Sequence, residues 1–318
     1  MQKKSHMDNW PKTQPGDTMQ TINDLKKKFE CSSIQFYEKN GIIISEIKTN
    51  NCTASISLQG AHLMTWKPSD QSHPVIWLSE DAKIAPGKSI RGGVPVCWPW
   101  FGPHGVESKF PAHGFARAVP WELLEALEKN GIILMKFRLI SSDSFKNQWP
   151  HPSTLELSFE IGSTLKVELT TTNTGSNEFS IGEALHTYFQ IGDIEKISVE
   201  GLDKTEYLDK VGIPAKRIQS GAINFSSEVD RVFMNTKSEC SLIDGVLGRK
   251  IKIQKSDSMS TIVWTPWKEK AEQMGDMGKN EGWKRMVCVE TGNALNNCVT
   301  VKAGSKHTLT AIYSAEKL

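Results

Sequence analysis

Leu155-Glu156-Leu157-Ser158-Phe159-Glu160-Ile161 puts an apolar side chain at every second position. Successive side chains of a β-strand point to opposite faces, so this stretch can bury one face and wet the other. Gly162-Ser163 follows and fits a two-residue type II′ turn, with glycine free to take positive φ. Leu165-Lys166-Val167-Glu168-Leu169 then alternates again, which completes a hairpin. The pattern recurs at residues 54–58, 197–199 and 250–253, with Asp244-Gly245 as another hairpin-type turn. Residues 121–128 have helical composition, yet the turn Asn130-Gly131 and the strand-like residues 132–137 make a hairpin an equal reading. A short helix is predicted at residues 265–275, with Thr265 as N-cap, Pro266 at the first helical position and Gly275 as the stop. Many short strands joined by turns predict an all-β fold, a large antiparallel β-sandwich with a few short helices.

The composition suits such a fold. A chain of 318 residues with 38% hydrophobic and 23% charged residues is ordinary for a globular protein. Residues 1–23 carry Pro11, Pro15 and Gly16 and little apolar content, and are expected to form a flexible tail. Residues 24–318 show no linker or composition break and are expected to form a single domain. Lys and Arg total 38 against 36 Asp and Glu, a net charge of +2. That balance argues against nucleic acid as a partner, whereas two arginines suffice for one phosphorylated metabolite. No apolar run reaches the ~18 residues of a membrane span, and no apolar segment follows the basic start. A cytoplasmic monomer is the expectation. The cysteines, Cys31, Cys52, Cys97, Cys240, Cys288 and Cys298, have no Cys-x-x-Cys spacing and are expected to be reduced, buried thiols.

Three segments break the alternation. Residues 89–103 hold Arg91-Gly92-Gly93-Val94-Pro95 and Trp98-Pro99-Trp100-Phe101, too rich in glycine and proline for a central strand. They form either a loop packed over one end of the sandwich or a platform of aromatic faces for a sugar ring, where Gly92 and Gly93 let backbone approach a ligand. Pro111-Ala112-His113-Gly114-Phe115-Ala116-Arg117 contributes Arg117, a surface charge or the second half of an anion clamp with Arg91. His113 is a structural histidine or a substrate contact. The third break is polar residues within apolar strands. Without a bulge, His186 shares a face with Ala184 and Tyr188, and Glu290 shares one with Cys288. Burying a carboxylate is unfavourable unless it is paired or functional. His186 can equally be a core histidine bonded to backbone, and Glu290 a strand-end residue bridged to Arg or Lys; spacing alone does not bring them together. Metal-binding, dinucleotide, P-loop and serine-hydrolase motifs are absent.

Taken together, Arg91-Gly92-Gly93-Val94-Pro95, Cys97-Trp98-Pro99-x-Phe101-Gly102, His113-Gly114-Phe115-Ala116-Arg117, residues 184–189, Val263-Trp264-x-Pro266-Trp267 and Val289-Glu290 resemble the D-hexose-6-phosphate mutarotases. These are the glucose-6-phosphate 1-epimerase branch of the aldose 1-epimerase (galactose mutarotase-like) superfamily, and the resemblance runs from about residue 36 to 314. It implies a single antiparallel supersandwich with a groove on one sheet. It further implies that His186 is the general acid, Glu290 the general base, Arg91 and Arg117 the phosphate-holding arginines, and Asp230 the acidic residue that binds sugar hydroxyls. Ala112 departs from the pattern, since many members carry a substrate-contacting Gln there.

The implied activity interconverts the α and β anomers of a hexose 6-phosphate and needs no cofactor or metal. A carboxylate of ordinary pKa ~4.3 serves as base, and an imidazole near ~6.5 as acid and then base. Two rivals stand beside it. A non-catalytic sugar-phosphate-binding or regulatory protein has no need for both His186 and Glu290. A glycoside hydrolase using Asp230 and Glu290, with carboxylates roughly 5–9.5 Å apart, leaves His186 idle.

Overall fold

The computed structural model describes residues 20–140 and 145–318. Strands dominate and, among the described residues, pair antiparallel in two large sheets and two smaller ones, one of them the two-stranded pair Phe179–Ile181 with Val299–Val301. The first large sheet runs, neighbour to neighbour, Ile223–Asn224, Ile197–Glu200, Cys240–Asp244, Arg249–Ser256, Lys306–Lys317, Leu165–Asn173, Ser153–Ile161, Ile132–Leu139 and Trp121–Lys129. The second runs Ala215–Ile218, Glu206–Asp209, Val229–Phe233, Ser260–Thr265, Met286–Asn293, Glu183–Leu185 and Val96–Cys97, with Tyr188–Gln190 also paired to Met286–Asn293. Strands Ile34–Lys39, Ile42–Lys48, Cys52–Ser57 and His62–Pro68 form a four-stranded sheet. The expected all-β sandwich is the observed architecture.

The deciding hairpin forms, with Leu157 opposite Leu169 and Phe159 opposite Val167, all four buried. Its turn differs from expectation. Ile161 pairs with Leu165 across three residues, the Gly162 N–H donates to the Thr164 carbonyl at 2.9 Å, and Gly162 does not take positive φ. The Gly162 carbonyl instead accepts the Trp66 indole N–H from the four-stranded sheet, a tertiary bond that local turn preference could not anticipate. Residues 121–128 are strand, because Asn130 and Gly131 at φ 54° and 75° make the left-handed pair that a tight hairpin requires. Asp244-Gly245 also opens a hairpin turn, where the Asp244 carboxylate accepts the N–H groups of Val246 and Leu247.

Two α-helices are present among the described residues. The predicted one, α2, spans Trp267–Met274 and ends at Gly275 with φ 67°. Pro266 is its N-cap, one residue later than the expected Thr265, and Thr265 makes no capping bond. The other, α1 (Ile22–Phe29), begins inside the stretch read as tail. Thr21 and Asp24 form a reciprocal capping box, and Leu25 is buried. The expected boundary at residue 23 therefore falls inside a helix, and residues 1–19 lie outside the described residues. All six cysteines are free, but Cys31 and Cys298 are exposed, so burial holds for only four. No helix among the described residues is long and apolar enough to cross a membrane.

Candidate active site

Glu290 sits mid-strand in Met286–Asn293, whose eight residues are all buried. Its neighbouring strand is interrupted beside it. Leu185 pairs with Thr291 and Tyr188 with Cys288, so one register runs through both pieces and leaves His186 opposite Glu290. The ladder opens at that point. On the other side the His186 N–H bonds the Pro95 carbonyl at 2.9 Å, continuing the register with Val96–Cys97, while the Thr187 N–H folds back on the Leu185 carbonyl at 2.8 Å instead of bonding Met286–Asn293. Behind the opening, the Thr187 hydroxyl bonds the Tyr313 hydroxyl of the opposing sheet at 2.7 Å. The imidazole thereby meets the carboxylate, with His186 Nε2 3.4 Å from Glu290 Oε1. Both side chains keep one buried polar atom without a partner, His186 Nδ1 and Glu290 Oε2.

All six candidates, His186, Glu290, Arg91, Arg117, Asp230 and His113, line one cavity of about 180 Å³. The Arg91 guanidinium donates from Nε to Asp276 and from Nη1 to the Tyr188 hydroxyl, each at 3.0 Å. Arg117 donates to the Ala112 carbonyl at 2.9 Å and makes no ion pair among the described residues. Ala112 thus contributes its carbonyl where a glutamine side chain was expected in many relatives. Asp230 pairs with Lys210 at 3.4 Å. The His113 ring lies edge-on to His186, centroids 5.7 Å apart. His113 Nδ1 accepts the Gly102 N–H at 3.3 Å, which assigns its proton to Nε2 as a neutral donor. His113 (φ 66°) and Gly114 (φ 72°) are consecutive left-handed residues, and a Cβ on Gly114 would fall 1.9 Å from the Trp98 carbonyl oxygen.

Burial sets the electrostatics. It holds His186 well below the usual imidazole range, helped by His113, Arg117 and Arg91. It raises Glu290 well above the usual carboxylate range; Asp230 adds to this, while Lys210 and Arg117 oppose it. His113 is pushed down to about 3 by burial and by the cations Arg117, Lys210 and Arg91. A lowered imidazole is a stronger acid when protonated and a raised carboxylate a stronger base when ionised, so the shifts suit proton exchange between them.

The glycine and aromatic expectations need correction. Trp98 is buried in the core and donates to Thr171, and Trp100 bonds the Pro111 carbonyl; of the three, only Phe101 lines the cavity. The aromatic surface comes instead from Tyr188, stacked on His186 at 5.0 Å and 17°, and from Trp264, edge-on to both. Gly92 and Gly93 admit protein rather than ligand. A Cβ on either would fall within 2.6 Å of the Trp77 carbonyl or 2.3 Å of His62. Lys210, Tyr188, Trp264 and Asp276 were not assigned from sequence; Lys210 follows a strand with no motif to mark it.

A second histidine–carboxylate contact runs from Glu183, at the end of the same strand pair, to His307 on Lys306–Lys317 of the other large sheet. His307 Nε2 is 2.8 Å from Glu183 Oε1, which also accepts from Asn293 at 3.0 Å. Glu183 is fully buried, and the contact joins the two sheets. Larger cavities of about 360 and 600 Å³ lie elsewhere, but neither is lined by His186 or Glu290.

Comparison with known proteins agrees with this geometry. The family model for aldose 1-epimerase matches residues 44–314. A protein of Escherichia coli (strain K12) named "Putative glucose-6-phosphate 1-epimerase" is 39% identical over 266 residues, covering 83% of this chain and 87% of that one. One of the same name from Cenchrus ciliaris is 35% identical, covering 80% and 79%. The crystal structure described as a "putative mutarotase (YeaD) from Salmonella typhimurium" superposes with a TM-score of 0.85 at 32% identity, covering 91% of this chain and 95% of that one. An imidazole and a carboxylate facing each other in a small polar cavity, on a sandwich shared with a mutarotase, accord with a match over most of the chain: it belongs to the aldose 1-epimerase family.

Proposed function

We propose that this protein interconverts the α and β anomers of a hexose 6-phosphate, with D-glucose 6-phosphate as the first candidate. The observation that carries the reading is the 3.4 Å approach of His186 Nε2 to Glu290 Oε1 inside a cavity that also holds two arginines. In a pyranose the O1 hydroxyl and the ring O5 are bonded to the same carbon. A base for one and an acid for the other must therefore lie close together, as these two groups do.

Glu290 takes the proton of the O1 hydroxyl while His186 delivers one to O5. The C1–O5 bond breaks, its electron pair goes to O5, and C1 becomes an aldehyde. Rotation about C1–C2 presents the other face, and ring closure runs both transfers in reverse. The carbon skeleton and its oxidation state are unchanged. One proton shared by the pair suffices, because it moves from imidazolium to sugar as another moves from sugar to carboxylate. In this reading the His113 Nε2–H and the Asp230–Lys210 pair bind hydroxyls, and Arg91 and Arg117 hold the phosphate. A phosphate carries about −1.5 to −2 charges near neutrality. Bringing it beside this cavity favours imidazolium over neutral His186, which couples substrate charge to acid strength.

A purely binding role fits less well, since recognition of a sugar phosphate does not require a buried imidazole and a buried carboxylate held in contact, each pushed away from its charged form. The deciding experiment is polarimetry on freshly dissolved α-D-glucose 6-phosphate beside α-D-glucose. Faster equilibration with preference for the phosphorylated sugar is expected; binding without acceleration would refute the enzymatic reading.

A further inference from the structure

Building on the hexose-phosphate reading above, we propose that Asp276 is a positioning residue that, with Ser79, locks the Arg91 guanidinium in the orientation that receives the anionic end of the substrate. Arg91 is the only candidate arginine held at two of its three nitrogens by side chains. Nε donates to Asp276 Oδ1 and Nη1 to the Tyr188 hydroxyl, each at 3.0 Å. A guanidinium is planar, so two fixed nitrogens fix the plane. Nη2 has no protein partner among the described residues and is left for a ligand, on a side chain that lines the cavity.

Asp276 is itself anchored. It lies on the loop between α2 and the Gly282–Arg285 turn, and its carbonyl accepts the Ser79 hydroxyl at 2.7 Å. The Ser79 N–H donates to the Arg91 carbonyl at 3.1 Å, and Ser79 is buried. Side chain and backbone thus close one ring: Arg91 guanidinium, Asp276 carboxylate, Asp276 carbonyl, Ser79, Arg91 carbonyl. Gly92, at φ 104°, lets the chain turn directly after Arg91 against the Trp77 carbonyl. An arginine stem left free samples many rotamers and loses that freedom when it grips an anion; one already held does not lose it again. Asp276 also places a negative charge near the incoming dianion. The pair is partly exposed, 25% and 18% at the two side chains, so solvent weakens that repulsion while leaving the geometry intact. The two effects have opposite signs, which makes the role measurable.

The test compares the parent with Asp276→Asn, Asp276→Glu and Ser79→Ala. It measures anomer exchange on α-D-glucose 6-phosphate and α-D-glucose, and inhibition by inorganic phosphate. In Asp276→Asn, the KM for the phosphorylated sugar and the inhibition constant of phosphate are both expected to rise about tenfold, while kcat falls less than about threefold. Asp276→Glu should recover most of the loss, and Ser79→Ala should shift both constants in the same direction by less. An unchanged or lower KM in Asp276→Asn overturns the proposal, because Asp276 would then only compete with the anion. Should Asp276→Asn fold poorly, the phosphate inhibition constants of Asp276→Glu and Ser79→Ala decide: a weakened constant in Ser79→Ala supports the lock, and parent-like constants in both overturn it. A parent with no preference for phosphorylated over free glucose overturns the substrate reading and the role of Asp276 with it. The parent's own ratio therefore tells the two failures apart.

Discussion

Glu290 and His186 are each pushed toward neutrality by burial, in opposite pKa directions, so the proposed proton transfers to and from the sugar depend on this pair. Glu290→Gln keeps the shape and removes the proposed base. We expect kcat to fall about 10²–10⁴-fold with KM changed far less, measured by polarimetry at saturating sugar. His186 reports the coupling to substrate charge. Its NMR titration should move to higher pH when glucose 6-phosphate is bound, since a nearby dianion stabilises imidazolium; an identical midpoint with and without ligand would remove the coupling. At the anion end, Arg91→Ala combined with Arg117→Ala should mainly raise KM for the phosphorylated sugar and shrink its advantage over free glucose. A double variant that still discriminates like the parent would move the anion site elsewhere.

Among the elements, the loop carrying His113 is under the tightest steric control. His113 holds left-handed φ because Gly114 passes so close to the Trp98 carbonyl that no side chain fits there. Gly114→Ala must push that backbone apart and also strain φ. A loss of several kcal/mol is expected from urea unfolding, together with weaker sugar binding as His113 moves. The helix signals teach a related lesson. Gly275 marked the end of α2 because its left-handed conformation is a local property, whereas Thr265 looked like a cap and is not one. Helix α1 went unread because it is only eight residues long and carries three lysines, although Ile22, Leu25 and Phe29 recur at i, i+3 and i+7; Leu25 is buried, and Ile22 and Phe29 pack against the core. The Thr21 and Asp24 spacing of its capping box was a second signal that could have found it.

Across the whole molecule, the sheets are tied by polar contacts as well as by apolar packing. Glu183 on one sheet raises the pKa of His307 on the other, burial opposing the shift and the carboxylate outweighing it. A folded-state pKa above the unfolded value stabilises fully below about 6.5 and loses that contribution as pH rises through the folded value. Unfolding midpoints of the parent should therefore decline over that window more steeply than those of Glu183→Gln. Parallel pH profiles in the two proteins would exclude the linkage. Tyr313→Phe, which removes the bond to Thr187 behind the ladder opening, should cost about 1 kcal/mol, and a larger loss in kcat than in stability would show that it holds His186 in place.

By itself the sequence determined the strands, the hairpin at residues 155–169 and the choice of His186 and Glu290 as candidates, which the structure brings to 3.4 Å of each other. Alternation and turn chemistry are local, and the motifs around His186 and Glu290 mark positions without regard to distance. Only the tertiary structure decided that the strand carrying His186 opens opposite Glu290, because the Tyr313 hydroxyl that holds Thr187 behind the opening comes from the opposing sheet, 126 residues further along the chain. It also decided that Trp98 belongs to the core while Tyr188 and Trp264 face the cavity, and that Lys210 and Asp276 join the site. Each of these depends on which surfaces meet when two sheets pack, and no short stretch of sequence contains that information.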